Sequence, residues 1–317
     1  MEFGNFLGNE TVKSRLSTAL DKGRLSHCYL IAGPRGSGKQ TLAKLLCAAM
    51  ECTGSGRRPC GCCPQCIKVT HGTHPDIITV DEPEKKTIPV KLVRDACADL
   101  YIRPNEGARK IYIFPQAQNL NPQGQNALLK CIEEPPAYGA FLLLTEHAEQ
   151  LLPTIRSRCV ELRLSPLPDA LLLQALRQKH PEATAEALQA AAARSGGYLG
   201  QALELLGQSL LPQSTAFVTA FCEGSPGAML RVLAPMERLK RDQLRPILLQ
   251  WNELLSAALA AGCGVPAVQP ECARLAKART TGALLRASKA VQEALELLEA
   301  NVGPAHICGA LSILIRE

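Results

Sequence analysis

The sequence predicts an α/β nucleotide-fold domain with a zinc-binding insertion, followed by two all-helical segments. Three observations lead there. Short apolar runs alternate with helical periodicities in the first half of the chain, a glycine-rich loop joins the first run to a helix, and five cysteines crowd between Cys52 and Cys66. The second half carries leucine and alanine at helical spacing with no strand-like runs.

Composition sets the outer limits. A chain of 317 residues with 46% hydrophobic and 20% charged residues has enough apolar material for two or three domains and is not a disordered polymer. Aromatic residues make up 4%, so helices rich in alanine and leucine should outweigh strands. A formal charge of +6 is a mild bias towards polyanions, too small to establish nucleic-acid binding. No apolar run is long enough to cross a bilayer and no signal peptide opens the chain, so a cytoplasmic location is expected. In that reducing compartment, clustered cysteines among the 14 present read as metal ligands or core residues rather than disulfides.

From the N-terminus, Val12, Leu16, Ala19 and Leu20 define an amphipathic helix over Leu7 to Lys22, stopped by Gly23. Cys28 to Ala32 is a short buried strand. It runs into Gly33-Pro34-Arg35-Gly36-Ser37-Gly38-Lys39-Gln40-Thr41, and the helix continues through Cys47. Strand, glycine-rich loop and helix N-terminus together form an anion cradle, in which Gly33, Gly36, Gly38, Lys39 and Thr41 are the candidate phosphate-binding residues. The pattern G-x-x-x-x-G-K-[ST] is met up to Lys39. Gln40 then stands where a magnesium-ligating hydroxyl belongs, with Thr41 one place late. A bare glycine-rich turn is the competing reading.

Next comes Pro59-Cys60-Gly61-Cys62-Cys63-Pro64-Gln65-Cys66, preceded by Cys52. Cys52, Cys60, Cys63 and Cys66 are the candidate ligands of a structural zinc ion, with Cys62 left over, because steps of three residues from 60 to 66 space consecutive ligands equally. Four sulfurs leave no open position for water, so the ion would be structural. The competing reading is a set of inert thiols. His74, before Pro75, follows a complete ligand set and reads as a structural or turn histidine.

Ile77 to Val80 is a second strand, Val90 to Tyr101 a helix, and Lys110 to Phe114 a third strand. A nucleotide hydrolase needs acidic groups after that strand, one for magnesium and one for water, yet the chain reads Pro115-Gln116. Asn121 caps a helix that Pro135-Pro136 ends. Phe141 to Leu144 and Val160 to Leu164 are the last strands, separated by a segment containing Ser157-Arg158-Cys159. Strands this apolar, alternating with helices, imply a parallel sheet covered on both faces.

Gly23-Arg24-Leu25-Ser26-His27, the phosphate loop, the four-cysteine insertion, His74-Pro75-Asp76, the helix from Asn126 to Pro136 and Ser157-Arg158-Cys159 carry a family resemblance over about residues 3 to 205. The chain resembles the bacterial clamp-loader subunits of the AAA+ class. That resemblance implies a nucleotide-fold domain over 1–165 with the zinc module at about 52–66, a helical lid over 166–208 and a helical collar over 209–317. It further implies a hetero-pentamer with gamma/tau motor and delta subunits, in which ATP drives opening of a sliding clamp and its placement on primed DNA.

Departures from the family pattern separate two roles. Gln40, Pro115-Gln116 and Gly200-Gln201 stand where a motor subunit would have a hydroxyl, an acidic pair and a sensor arginine, whereas Ser157-Arg158-Cys159 is intact. The expectation is therefore a non-hydrolysing subunit, with weak ATP or ADP binding or none, that supplies Arg158 in trans to a neighbouring motor. An arginine paired with a nearby carboxylate is the bland reading of Arg158. The other functional reading is an active gamma/tau-type motor in which Thr41 and Glu133 or Glu134 replace the lost groups.

Beyond Pro166, helices are expected over Ala170 to Gln178, Ala183 to Ala193 and Leu199 to Gly207, and then throughout Leu211 to Glu317. Arg231, Arg238, Lys240, Arg241 and Arg245 form a basic stretch without interleaved aromatics, which favours a solvated face over a nucleic-acid patch.

Overall fold

The computed structural model describes residues 1–83, 85, 87–207, 210–265, 267 and 269–315; the expected junction at 208/209 and residue 317 lie outside them. Its first half alternates α1 (Glu10–Asp21), β1 (Cys28–Ala32), α2 (Lys39–Glu51), α3 (Pro64–His71), β2 (Ile77–Thr79), α4 (Val90–Asp99), β3 (Lys110–Phe114), α5 (Pro122–Glu133), β4 (Gly139–Thr145), α6 (Pro153–Arg156) and β5 (Val160–Arg163).

The five strands form one sheet in the order β2-β3-β4-β1-β5, parallel throughout. Every residue of β1 and β4 is buried, as expected of strands covered on both faces, whereas the edge strands β2 and β5 are partly open. Side chains alternate across the pleat. Tyr29 and Ile31 of β1 join Leu16, Leu42, Leu46 and Leu142 on one face. Leu30 joins Val93, Phe114, Leu128, Phe141 and Ile155 on the other. Because β1 pairs with β4 on one side and β5 on the other, the loop after β1 opens at the point where strand order reverses, where parallel sheets leave a crevice for ligands.

The expected elements are all present, with shifted ends. The first helix begins at Glu10 rather than Leu7, because Gly8 and Asn9 adopt left-handed backbone (φ 61 and 56). Helices α3 and α6 are additions to the expected set.

The remaining helices are α7 (Asp169–Lys179), α8 (Ala185–Arg194), α9 (Leu199–Gly207), α10 (Pro212–Glu223), α11 (Pro226–Met236), α12 (Arg241–Gly262), α13 (Pro270–Ala278), α14 (Thr281–Glu299) and α15 (Pro304–Leu314). The chain divides into two compact units, 1–172 with 196–201, and 173–195 with 202–317. The second has its own core, in which Trp251 of α12 stacks on Phe217 of α10 with ring centroids 4.1 Å apart, surrounded by Leu248, Leu255, Leu284 and Val291. In the basic stretch, Arg241 donates to Asn301 Oδ1 at 2.6 Å in the turn after α14, and Arg245 lies 3.9 Å from Glu299 at the end of that helix.

Candidate functional site

The glycine-rich loop leaves β1 through Gly33, whose N–H donates to Thr145 O of β4 at 3.1 Å. Gly36 and Gly38 hold φ values of 74 and 93, which glycine adopts without strain, and Lys39 opens α2. The loop lysine is turned onto its own loop: Nζ donates to Gly33 O at 2.6 Å and to Pro34 O at 2.9 Å, with the Glu146 carboxylate 3.9 Å away. Burial lowers its pKa and Glu146 opposes that shift. A phosphate entering here must displace two carbonyls and meet a carboxylate. Gln40 and Thr41 are exposed and open onto a groove shared with Lys44, Leu45 and Cys60.

The loop tip is occupied. Gly200 at the start of α9 donates its N–H to Gly36 O at 2.9 Å, and Gln201 Nε2 donates to Arg35 O at 3.0 Å. A Cβ on Gly200 would lie 2.5 Å from Gly36 Cα, so the two backbones meet as glycines only. After β3, Gln116 accepts from Asn119 Nδ2 at 2.8 Å through its own amide oxygen, and no carboxylate stands at 115 or 116. Glu146 is the acidic neighbour that spacing alone did not reveal.

The second constellation lies past the end of α2. The sulfurs of Cys52, Cys60, Cys63 and Cys66 all lie within 4.8 Å of one another, whereas exposed Cys62 stays outside that group. A tetrahedral zinc thiolate site needs sulfurs roughly 3.8 Å apart, so a small contraction of this group meets it. Backbone N–H groups are aimed at the sulfurs: Cys60 N at Cys52 Sγ (3.4 Å), Cys63 N at Cys60 Sγ (3.3 Å) and Cys66 N at Cys63 Sγ (3.4 Å). Burial acts to raise the Cys63 thiol, but donors from Cys66 and Thr53 outweigh it and bring it down to about 5, which favours the thiolate that a metal requires. Cys63 is also the N-cap of α3, with Pro64 in the first turn, so one sulfur faces both the cluster and the helix end. Gly54 had no signal in the sequence; a Cβ there would come within 2.9 Å of Cys60 Sγ.

His74 is placed outside the cluster. It is buried, and its Nδ1 accepts from Asp76 N at 3.2 Å, a structural role. Two carboxylates bind the loop before β3: Asp76, which the sequence marked only as part of His74-Pro75-Asp76, and Glu51, which it did not mark. Asp76 accepts the N–H groups of Asn105, Glu106 and Gly107, and Glu51, the last residue of α2, accepts those of Ala108 and Arg109. Five consecutive amides are thereby satisfied without strand or helix.

Arg158 follows α6 and precedes β5. Its Nη2 lies 2.9 Å from Glu133 Oε1 at the end of α5, and its Nη1 donates to Thr154 O at 3.0 Å. The pair that forms is thus with a carboxylate of the same chain, and Glu133 is committed there. Cys159 is anchored beside it, its Sγ 2.8 Å from that of Cys28 across the β1–β5 ladder. Contact with Cys159 and then burial hold the Cys28 thiol well above its ordinary pKa.

A family model described as "DNA polymerase III, delta subunit" matches residues 8–168. The chain is 35% identical to DNA polymerase III subunit delta' of Pseudomonas aeruginosa over 236 residues, 71% of this chain and 69% of that protein. It is also 34% identical to DNA polymerase III subunit tau of Escherichia coli over 213 residues, spanning 66% of this chain but only 33% of the relative. Among solved structures, the Thermotoga maritima RuvB branch migration motor aligns with 63% of this chain and 61% of its own at 23% identity and a TM-score of 0.43, a distance that bears on nothing further. With the parallel α/β sheet above, these matches establish that the chain belongs to the DNA polymerase III delta-subunit family of clamp-loader proteins.

Proposed function

We propose that this chain is a non-hydrolysing, delta-prime-like subunit of the DNA polymerase III clamp loader. Its role is to hold its place in a hetero-pentamer with gamma/tau-type motors and a delta subunit and to complete a neighbour's ATP site, while the ring opens a sliding clamp and loads it on primed DNA. The observation that carries this reading is the state of Lys39, held by the Gly33 and Pro34 carbonyls beside Glu146 with no carboxylate at 115–116 to hold magnesium. ATP or ADP would meet Gly33, Gly36, Gly38, Lys39 and Thr41 as a cradle already engaged with itself, so binding is weak or absent.

Three further assignments belong to the proposal. Cys52, Cys60, Cys63 and Cys66 hold one structural zinc ion, which supplies a cross-link for a segment with little apolar core of its own. Arg158 acts in trans on the terminal phosphate of the adjacent motor. Residues 1–165, 166–208 and 209–317 serve as nucleotide-fold, lid and collar segments. The work is cytoplasmic, at the replisome, and among the described residues no helix is long and apolar enough to cross a membrane.

The similarity to tau favours a second reading, an active motor. It requires a substitute acid, and Glu133 is engaged by Arg158. An ATPase assay of the purified chain, alone and with the other loader subunits, separates the two. No turnover by the chain alone is expected; turnover abolished by Lys39→Ala would establish the motor instead.

A further inference from the structure

Glu133 and Arg158 sit on different elements, yet their side chains meet at 2.9 Å, Oε1 to Nη2. Each backbone is firmly set. Ile132, just before Glu133, is fully buried under the sheet, as is Ile155 in α6; Arg158 N donates to Ile155 O at 3.0 Å. The guanidinium is further bound through Nη1 to Thr154 O at 3.0 Å and Ser157 Oγ at 3.4 Å. Three acceptors therefore fix its plane. A guanidinium has five N–H donors, so these contacts leave two unspent. Both side chains are substantially open, at 40% and 42%, so the unspent donors belong to a group at the surface.

An exposed ion pair does little for folding stability. Its geometric effect is larger, because a long arginine side chain otherwise samples many rotamers and loses them on meeting its target. An acceptor that holds the fork before the target arrives removes that cost.

We propose that Glu133 is a positioning residue for Arg158: it holds the guanidinium in the orientation in which its free donors face an incoming phosphoryl group of a neighbouring nucleotide site. The assignment rests on the reading of Arg158 as acting in trans. It implies that the carboxylate works only through the arginine, and that a neutral acceptor of the same length retains most of the effect.

The test uses a reconstituted loader in which only the motor site adjacent to this subunit can turn over, assayed with clamp and primed DNA. Arg158→Ala should lower kcat at that site by ~10³-fold. Glu133→Ala should lower kcat roughly fivefold with KM unchanged, and Glu133→Gln should recover most of that loss. The double variant Glu133→Ala/Arg158→Ala should be no slower than Arg158→Ala, which a merely structural role for Glu133 would not produce. Unfolding midpoint and assembly are measured in parallel and should not move. If Arg158→Ala is slow while Glu133→Ala runs at the parental rate or faster, Glu133 is idle or competes with the phosphate, and the positioning role is wrong. If Arg158→Ala itself runs at the parental rate, the trans reading fails and the role of Glu133 falls with it.

Discussion

Gln201 reaches back to the phosphate loop, donating from Nε2 to the Arg35 carbonyl at 3.0 Å, while its neighbour Gly200 donates its N–H to Gly36 O. The start of α9 thus closes on the loop through backbone and amide groups and brings no cation to it.

This contact makes Gly36 intolerant of any side chain. Its φ of 74 disfavours L-residues, and a Cβ there would run into the Gln201 backbone nitrogen. Gly36→Ala should cost about 1–3 kcal/mol, read as a lower urea midpoint by circular dichroism. An unchanged midpoint would show that the loop and residues 200–201 do not pack as described.

Trp251 sets the second prediction. It is the only tryptophan of the sequence, fully buried, and its Nε1 has no hydrogen-bond partner among the described residues. What it contributes is therefore packing against Phe217 and the surrounding leucines. Trp251→Ala should cost about 3–5 kcal/mol, and Trp251→Phe much less, since phenylalanine refills most of the space without an unpaired N–H. In the parent chain, tryptophan emission should be that of a dry site and report unfolding of the helical unit.

Much of this architecture was legible because burial leaves simple marks. Strand β1 and the bodies of β3 (Ile111 to Phe114) and β4 (Ala140 to Leu144) read as apolar runs since both of their faces are covered, and the cysteine set declared itself by spacing. Helix α3 did not, because among its eight residues only Cys66 and Val69 are buried and its cap is a sulfur that belongs to the cluster. A carboxylate partner for Arg158 was one of the readings, but that it is Glu133 was not legible, and neither were the Lys39–Glu146 pair and the hold of Asp76 and Glu51 on residues 105–109. Each joins residues far apart in the chain, and an isolated Glu or Asp looks the same whether it faces solvent or a row of amides.

Metal content gives a third prediction. One zinc per chain is expected in protein purified without chelator. Cys63→Ser should abolish it, while Cys62→Ser should retain it, because Cys62 lies outside the four-sulfur group. Loss of metal should raise amide exchange over 52–71, where α3 has Cys63 as its cap, and leave β1 and β4 protected. Retention of zinc by Cys63→Ser with loss in Cys62→Ser would overturn the ligand set.

The last prediction concerns acid stability and rests on Asp76. Its Oδ1 accepts from Asn105 N at 2.6 Å and Asn105 Nδ2 at 3.0 Å, and its Oδ2 accepts from Glu106 N at 2.9 Å and Gly107 N at 2.8 Å. Burial alone would raise its pKa, but these donors outweigh it and hold the carboxyl below the ordinary aspartate value. A folded-state pKa below the unfolded one means that the unfolded chain binds the proton more readily. The stabilisation is therefore present above the unfolded value, near ~3.9, and is lost as pH falls through the folded value. Asp76→Asn cannot reproduce the arrangement, since its amide nitrogen presents donors to backbone N–H groups. It should cost about 1–3 kcal/mol at neutral pH, where those amides are left unpaired, and should flatten the fall in stability below about pH 4. Denaturant unfolding of both proteins at intervals from neutral to acid pH measures the difference. Parallel curves would mean that Asp76 keeps the same proton affinity in the folded and unfolded chain, and that the loop at 105–107 is held by something else.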